Sequence, residues 1–201
     1  ILLDNHFDYN LIKNKLNIDY TAQNNVSNFY NIKLKNAIKY NTDKADIYTL
    51  EKFLTYEECN KIMEISDTKL IPSKITTSNS EPDKYFRTNF TCQLSTITNI
   101  EHRNFIQSIN EKICDYMGIK DSYSEGIQAQ KYTVGQEFKV HTDFFTPGTK
   151  EFKNHCTRQG NRTWSLMIYL NNTEVGGETE FPRIPAKFYP KKGMAIIWNN
   201  L

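Results

Sequence analysis

The second half of the chain consists of short strand-like runs separated by turn residues. The runs cover residues 127–132, 138–144, 164–170, 179–181 and 194–198. The turns between them contain Gly135, Pro147-Gly148, Asn171-Asn172, Gly176-Gly177 and Lys191-Lys192-Gly193. The paired glycines at 176 and 177 fit a tight turn that requires positive φ. Such a meander of short strands predicts a β-sandwich or barrel.

Two helices are predicted ahead of these strands. Thr55 and Glu58 form a capping box, which predicts a helix from there to about residue 66. That helix is expected to bury Cys59, Ile62 and Met63. A second helix, over about residues 101–117, ends at Gly118. Its apolar stripe consists of Phe105, Ile106, Ile109, Ile113 and Met117. Helices followed by strands predict an α+β fold with the helices packed on one face.

Two segments are predicted to lie outside this regular structure. Residues 1–45 form an extension rich in Asn, Lys and Tyr, to which the sequence assigns no chemistry. The composition changes at Asp46, where a strand over residues 47–50 follows, so the domain is predicted to cover residues 46–201. Residues 72–84 are rich in Ser, Thr and Asn and predict a mobile loop, either a plain connector or an active-site lid.

Charge and composition argue against several classes of partner. The 25 basic and 23 acidic residues leave a net charge of +2, which supplies no field toward nucleic acid. No apolar run is long enough to cross a bilayer, and no basic leader of a signal peptide is visible. Neither nucleic acid nor a membrane is therefore predicted as a partner, and the compartment stays open because the chain does not begin with Met.

Cysteine spacing and glycosylation sequons carry little functional information. The four cysteines lack C-x-x-C spacing, which argues against zinc, and their even number permits two disulfides without requiring them. Four Asn-x-Ser/Thr sequons are expected by chance in so Asn-rich a chain. They begin at Asn25, Asn89, Asn161 and Asn171.

The triplet His141-Thr142-Asp143 is the strongest chemical candidate. In an extended strand the side chains at positions i and i+2 point to the same face, so His141 and Asp143 are expected to meet. An imidazole and a carboxylate are two-thirds of the facial triad that holds Fe(II) and leaves coordination positions open. The triplet alone is weak evidence, since a surface histidine beside an acidic residue has the same sequence.

Several motifs around this triplet resemble the prolyl 4-hydroxylase family, in order and over residues 46–201. Residues 130–145 read QKYTVGQEFKVHTDFF and resemble the turn and strand that lead into the metal motif. Further matches are FLTYEEC at 53–59, RTN at 87–89, NRTWSLMIYLN at 161–171, GGETEFP at 176–182 and PKKGMAIIWN at 190–199.

This resemblance implies both a fold and a reaction. The fold is a double-stranded β-helix, a jelly-roll-like barrel whose mouth holds iron. The reaction is hydroxylation of a peptidyl residue, proline at C4, in a peptide or protein substrate. It uses Fe(II), 2-oxoglutarate and O₂ and releases succinate and CO₂. The resemblance also implies ascorbate as a cofactor.

The resemblance also implies roles for five residues. His141 and Asp143 match the metal ligands. Tyr132 matches a tyrosine that binds the distal carboxylate of 2-oxoglutarate, although an ordinary core aromatic also suits its position. Arg87 and Arg162 match residues near the peptide groove, with a solvated or structural arginine as the alternative.

The remaining histidines and aromatic residues receive weaker assignments. His155, in a polar loop over residues 146–158, is a possible substitute ligand. His102 is expected at a helix start, and His6 lies in the extension. The aromatic residues expected in the core or cavity wall are Trp164, Trp198, Phe144 and Phe145.

The sequence departs from the family at its end and at Asn89. The family's distal His and its basic 2-oxoglutarate ligand follow the strand at which this chain stops, so a fragment of a longer protein is expected, with a truncated inactive homologue as the alternative. Asn89 replaces the Ser of an Arg-Thr-Ser segment. A non-enzymatic β-sandwich binding module and another 2-oxoglutarate oxygenase, such as a nucleic-acid demethylase, stay open. Substrate identity and oligomeric state are not determined.

Overall fold

Two long helices precede most of the strands, as predicted. The computed structural model describes residues 34–75, 85–156 and 160–200. Helix α1 spans Tyr56–Asp67 and helix α2 spans Ile100–Met117, which confirms both predicted helices. The compact unit that contains them begins at Lys35. The predicted extension lies outside the described residues up to residue 33, and His6 lies there with it.

The predicted capping box starts helix α1. The Glu58 backbone N–H donates to Thr55 Oγ1 at 3.1 Å, and the Thr55 N–H donates to Glu58 Oε2 at 2.7 Å. These two bonds satisfy two of the backbone donors that a helix start leaves without partners. Cys59 and Ile62 are buried as predicted, whereas Met63 is only half-buried. Ile65, three positions after Ile62 and on the same face of the helix, is buried as well.

Helix α2 has the predicted apolar face. Asn99 caps its start, since its side chain accepts the His102 N–H at 3.0 Å, and Gly118 ends it in the left-handed conformation. Ile106, Ile109 and Met117 are buried, and the other two residues of the predicted stripe are half-buried. The face therefore packs into the core as a continuous stripe.

The described strands form three sheets, and every strand pair in them is antiparallel. The largest sheet has the order β1-β2-β9-β6, the second β3-β4-β5, and the third is the hairpin β7-β8. The strands are β1 Ile38–Lys39, β2 Ile47–Leu50, β3 Ile71–Pro72, β4 Phe90–Gln93, β5 Gln128–Lys131, β6 Trp164–Ile168, β7 Thr179–Phe181, β8 Ala186–Phe188 and β9 Ala195–Asn199. Since β1 pairs with β2, residues just before Asp46 belong to the same sheet as the predicted domain.

Strand β9 has both faces buried, which places it at the centre of the fold. Ala195 belongs to a core that contains residues of both helices, including Ile62 and Ile109. Ile196, which points the other way, belongs to a second core with Ile184 and residues of the β7-β8 hairpin. The largest sheet is thus covered by helices on one face and by the hairpin on the other.

One predicted strand is wrong, and it is the one that carries the His-x-Asp triplet. Of residues 138–144 only Phe138 forms a bridge, to Arg87, and the segment then bends through Asp143. Among the described residues no strand lies beside residues 140–144, so backbone pairing does not continue there. Val140 accordingly has 62% of its surface exposed.

Other predicted strands are confirmed, while several short elements were not predicted. Strands β2, β5, β6, β7 and β9 lie where the sequence places them. Strands β4 and β8 and helix α3, Lys150–His155, lie in segments without a clear pattern. The loop predicted over residues 72–84 begins in strand β3, and its residues 76–84 lie outside the described residues. The paired glycines have φ of 79° and 75°, as their turn requires.

The structure also bears on the cysteines, one sequon and membrane association. Cys59, Cys92, Cys114 and Cys156 are buried free thiols. Asn89, the first residue of one sequon, is only 1% exposed. Among the helices of the described ranges, none has the length and apolarity required to cross a bilayer.

Candidate metal centre

His141 is held by its backbone neighbours and by an aromatic ring. Its Nδ1 lies 2.7 Å from the Lys139 carbonyl oxygen, and that oxygen can only accept, so Nδ1 carries the proton. The imidazole stacks on Phe138 with ring centroids 3.6 Å apart and planes 17° apart. These contacts turn Nε2 toward Asp143 and leave its lone pair available to a ligand.

Asp143 lies next to that nitrogen although the segment is not a regular strand. Its Oδ1 is 3.4 Å from His141 Nε2, and its Oδ2 is 2.5 Å from the Ser165 hydroxyl oxygen. Burial raises the pKa of the Asp143 carboxyl, but the contacts with His141 and Ser165 and the charge of Arg162 outweigh burial and hold the pKa below its ordinary value. The carboxylate is therefore ionised at neutral pH, as a metal ligand must be.

The two side chains fit a shared cation. With the Nδ1 proton directed to the Lys139 carbonyl, Nε2 is the nitrogen that faces Asp143, and a cation between Nε2 and Oδ1 would be bound by a lone pair of each. Metal–ligand bonds of about 2.1 Å allow two ligands of one ion to be about 3.0 Å apart at a right angle and about 4.2 Å apart when opposite. The 3.4 Å separation lies within this interval.

No third metal ligand completes the pair in the described part of the chain. No group of three His, Cys, Asp or Glu side chains there could hold an ion. His155 is accordingly not the substitute ligand considered from the sequence. It ends helix α3 instead of lying in a loop, and its ring stacks on Phe145 at 5.2 Å. His102 lies in the first turn of helix α2, as predicted.

Arg162 contacts the candidate metal-binding segment at Asp143 and Phe145. Its Nε and Nη2 donate to the two carboxylate oxygens of Glu125 at 2.6 and 2.9 Å, a bidentate ion pair. Nη1 donates to the Asp143 carbonyl oxygen at 3.4 Å, and the guanidinium lies over the Phe145 ring at 5.0 Å. These contacts support the structural alternative for Arg162, and its role in the peptide groove stays a prediction.

Arg87 also lies beside the site, but the described residues provide no carboxylate for it. Its guanidinium lies over the Phe138 ring at 4.6 Å. Its three described hydrogen bonds go to Asn89 Oδ1, the Lys74 carbonyl and Thr91 Oγ1, all neutral acceptors. Burial lowers the pKa of Arg87 from a very high ordinary value, so the side chain stays charged at neutral pH.

Tyr132 presents a phenol near this arginine. Its hydroxyl donates to Gln130 Oε1 at 2.9 Å. Burial raises the pKa of the phenol, and the charge of Arg87 lowers it by a smaller amount. The hydroxyl therefore stays protonated at neutral pH and serves as a hydrogen-bond donor.

Of the aromatic residues assigned to the core or cavity wall, the two tryptophans pack at the largest sheet and the two phenylalanines lie near the candidate site. Trp198 packs in the second core, where its ring meets Phe181 edge-on at 5.5 Å. Trp164 contacts Tyr48 across the sheet with ring centroids 6.3 Å apart. Phe145 lies beside the site under Arg162, and Phe144 is half-buried in the bend.

Three residues of the site were not predicted. Ser165 and Glu125 contact Asp143 and Arg162, and Asn161 holds the chain after the bend. The Asn161 side-chain amide accepts the Phe145 N–H at 2.9 Å and donates to the Phe145 carbonyl at 2.8 Å. It thus replaces the strand partner that residues near 145 lack. Ser165 and Asn161 lie inside the motif NRTWSLMIYLN, but nothing in that pattern distinguishes them from their neighbours.

Comparison with known proteins connects this centre to a family. A family model of the 2OG-Fe(II) oxygenase superfamily matches residues 127–201, the segment that contains His141 and Asp143. Prolyl 4-hydroxylase subunit alpha-1 of Gallus gallus is 30% identical over 163 residues, which cover 79% of this chain and 30% of that protein. The Homo sapiens subunit is 36% identical over 97 residues, which cover 48% of this chain and 18% of that protein.

A solved structure agrees with the fold. The crystal structure of a viral collagen prolyl hydroxylase from Paramecium bursaria Chlorella virus-1, a complex with 2-oxoglutarate, matches with a TM-score of 0.51 at 23% identity. The match covers 76% of this chain and 77% of the viral one. This chain spans less than a third of the chicken and human subunits. Within that span the chain is similar to prolyl 4-hydroxylases, and residues 127–201 match the model of the 2OG-Fe(II) oxygenase superfamily.

Proposed function

We propose that this protein hydroxylates peptidyl proline at C4, with 2-oxoglutarate and O₂ as cosubstrates and succinate and CO₂ as further products. The observation that carries the proposal is the meeting of His141 Nε2 and Asp143 Oδ1 at 3.4 Å, with the proton of the imidazole held on the opposite side. A double-stranded β-helix is the finer fold assignment that goes with this function. The antiparallel sheets of the described residues are consistent with it.

In this proposal His141 and Asp143 hold Fe(II) through Nε2 and Oδ1. Bound Fe(II), with 2-oxoglutarate and O₂, supplies the oxidising power for an unactivated C–H bond, which no side chain has. The contribution of the chain is to present two ligands in fixed orientation and leave coordination positions open. Phe138 supports this orientation, because its ring stacks on the imidazole.

Tyr132 is proposed to bind the distal carboxylate of 2-oxoglutarate. Its phenol is protonated and currently donates to the Gln130 amide oxygen at 2.9 Å. A carboxylate is a stronger acceptor than a neutral amide oxygen, so the hydroxyl has a better partner when the cosubstrate arrives. Ascorbate belongs in the assay as the family's additional cofactor.

Arg87 is proposed to contact the peptide substrate. The described residues use three of its five N–H donors, and none of these bonds goes to a carboxylate. The charged guanidinium lies over Phe138, the ring that also supports His141. A peptide carbonyl bound by Arg87 is thus held near the metal ligands, which is where the reacting carbon must be placed.

The experiment that tests the function compares substrates directly. The full-length protein, with Fe(II), 2-oxoglutarate and ascorbate, is incubated with a proline-containing peptide and, separately, with an N-methylated oligonucleotide. We expect succinate to form and the peptide to gain the mass of one oxygen atom at proline. His141→Ala is expected to abolish this turnover. His102→Ala, which removes a histidine from the first turn of helix α2, is expected to retain it.

Two other outcomes lead to different functions. Turnover of the oligonucleotide alone contradicts the hydroxylase and favours a nucleic-acid demethylase, although a net charge of +2 gives that function little electrostatic support. Failure to bind either Fe(II) or 2-oxoglutarate contradicts both enzymes and favours a non-enzymatic binding module.

A further inference from the structure

We infer that Ser165 is a positioning residue that determines which oxygen of Asp143 binds the metal. The inference rests on the proposed metal-binding role of His141 and Asp143 and assigns a function to a side chain that the sequence did not single out. Its basis is a chain of hydrogen bonds that runs from Asn200 through Ser165 to the carboxylate.

The direction of these bonds follows from the chemistry of the partners. The Asn200 Nδ2 amide donates to Ser165 Oγ at 3.0 Å, so the serine oxygen accepts there. The Ser165 oxygen already accepts from Asn200, and its hydroxyl donates to Asp143 Oδ2, 2.5 Å away. A hydroxyl that donates to a carboxylate oxygen forms a charge-assisted hydrogen bond.

The donor is fixed in position by the largest sheet. Ser165 lies in strand β6, where it is paired with Trp198 of the central strand β9. Asn200 follows β9 directly, and its backbone N–H donates to the Thr163 carbonyl at 2.8 Å, which anchors its side chain beside the serine. Sites built on strands hold their geometry more precisely than sites built on loops. Asp143 itself lies on a bend, so its orientation depends on this external contact.

The two carboxylate oxygens of Asp143 therefore have different partners. Oδ2 is occupied by Ser165, while Oδ1 faces His141 Nε2 at 3.4 Å. With Oδ2 engaged, Asp143 offers one oxygen to the metal instead of two. A single oxygen uses one coordination position and leaves the others to the cosubstrate and O₂, as the chemistry of the facial triad requires.

Binding of Mn²⁺ to the full-length protein, measured by titration calorimetry, tests the assignment without turnover. Removal of a residue that orients a metal ligand typically lowers the affinity for the metal by about 10–100-fold. We expect Ser165→Ala to weaken Mn²⁺ binding by about this factor, and Ser165→Thr, which keeps the hydroxyl, to restore most of it. Ser108→Ala is the matched control, because that hydroxyl donates to the Phe105 carbonyl of its own helix and contacts neither candidate ligand among the described hydrogen bonds.

A double-mutant cycle separates positioning from a general loss of structure. Within the described residues the Asn200 side chain reaches Asp143 through Ser165, so Asn200→Ala is expected to weaken binding less than Ser165→Ala and to add little in the double variant. Wild-type affinity in Ser165→Ala, or full additivity of the two substitutions, overturns the inference while the metal site stands. Failure of the wild-type protein to bind Mn²⁺ contradicts the proposed function itself, and the inference with it.

Discussion

At the scale of single residues, Gly193 is the glycine with the least room for a side chain. Its N–H donates to the Tyr169 carbonyl at 2.8 Å, and its carbonyl accepts the Leu54 N–H at 3.1 Å. The residue therefore ties the chain before helix α1 to the turn before strand β9. Its φ is 80°, and a Cβ built on it falls within 3.0 Å of the Leu54 carbonyl oxygen, a backbone atom that cannot turn aside.

Substitution of Gly193 by Ala is expected to be strongly destabilising. The left-handed backbone costs about 1–2 kcal/mol for a residue with a Cβ. The clash with the backbone adds about 1–3 kcal/mol of overpacking. We expect Gly193→Ala to lower the free energy of unfolding by about 3 kcal/mol in urea titrations. Gly118→Ala is the control, since Gly118 has a φ of 66° and no atom within 4 Å of its built Cβ, so it incurs only the backbone cost. Equal losses in the two variants contradict the role of the clash.

At the scale of secondary-structure elements, helix α1 depends on its first turn. Thr55 and Glu58 form the capping box, and both Glu58 carboxylate oxygens also accept from Lys112 of helix α2, at 2.9 and 2.8 Å. The same carboxylate thus caps one helix and links it to the next. Because Lys112 and Glu58 are partly exposed, solvent screening keeps the ion pair itself modest.

Removal of the Thr55 hydroxyl is expected to cost about 1 kcal/mol of stability. Thr55→Ala leaves the Glu58 N–H without its acceptor at the helix start, and N-cap substitutions of this kind cost about 0.5–2 kcal/mol. Thr68→Ala, at the other end of the helix, removes a hydroxyl whose described hydrogen bond goes to the Ile65 carbonyl, and we expect it to cost less than half as much. Urea unfolding with unchanged m-values measures both effects. Equal costs contradict a specific capping role.

Elements whose own sequence has a clear pattern were predictable, whereas the backbone conformation of residues 138–144, the candidate metal-binding segment, was not. The capping box, the apolar stripe of helix α2 and the short runs of strands β6, β7 and β9 each contain the information for their own structure. Residues 138–144 alternate in polarity like a strand, but no described strand pairs with residues 140–144, so the chain bends. A pattern within one segment does not report whether a partner strand lies beside it.

The side chains of the site show the same division between local and distant information. His141 and Asp143 were predicted to meet because they are two positions apart, and they do meet, through the bend instead of through strand geometry. Ser165 is 22 positions from Asp143, and Glu125 is 37 positions from Arg162. Such contacts depend on how the sheets are assembled, which no spacing rule in a single sequence encodes.

At the scale of the whole folded unit, the candidate metal centre lies between two sheets. Phe138, which supports His141, forms a bridge to Arg87 just before strand β4 of the second sheet. Asp143 is held by Ser165 in strand β6 of the largest sheet. The two candidate ligands are thus supported by contacts from different sheets.

The four cysteines provide a probe of this global structure. They lie in helix α1, strand β4, helix α2 and the end of helix α3, and all are buried free thiols with 5% exposure or less. Burial raises the pKa of each thiol, so the reactive thiolate is even rarer than in an exposed cysteine at the same pH. Both effects oppose attack on the folded protein.

We expect a disulfide-exchange reagent at pH 8 to modify none of these four thiols rapidly in the native protein and all four in denaturant. Modification of the native protein is then limited by opening of the fold, and its rate should increase in a variant that lowers global stability, such as Gly193→Ala. Thr68→Ala, with its smaller expected effect, is the matched comparison. Because the structure contains no disulfide among these cysteines, a reductant should leave the urea midpoint unchanged. Rapid native-state modification of Cys59 or Cys92, which are 0% exposed, contradicts the packing described for the helical core.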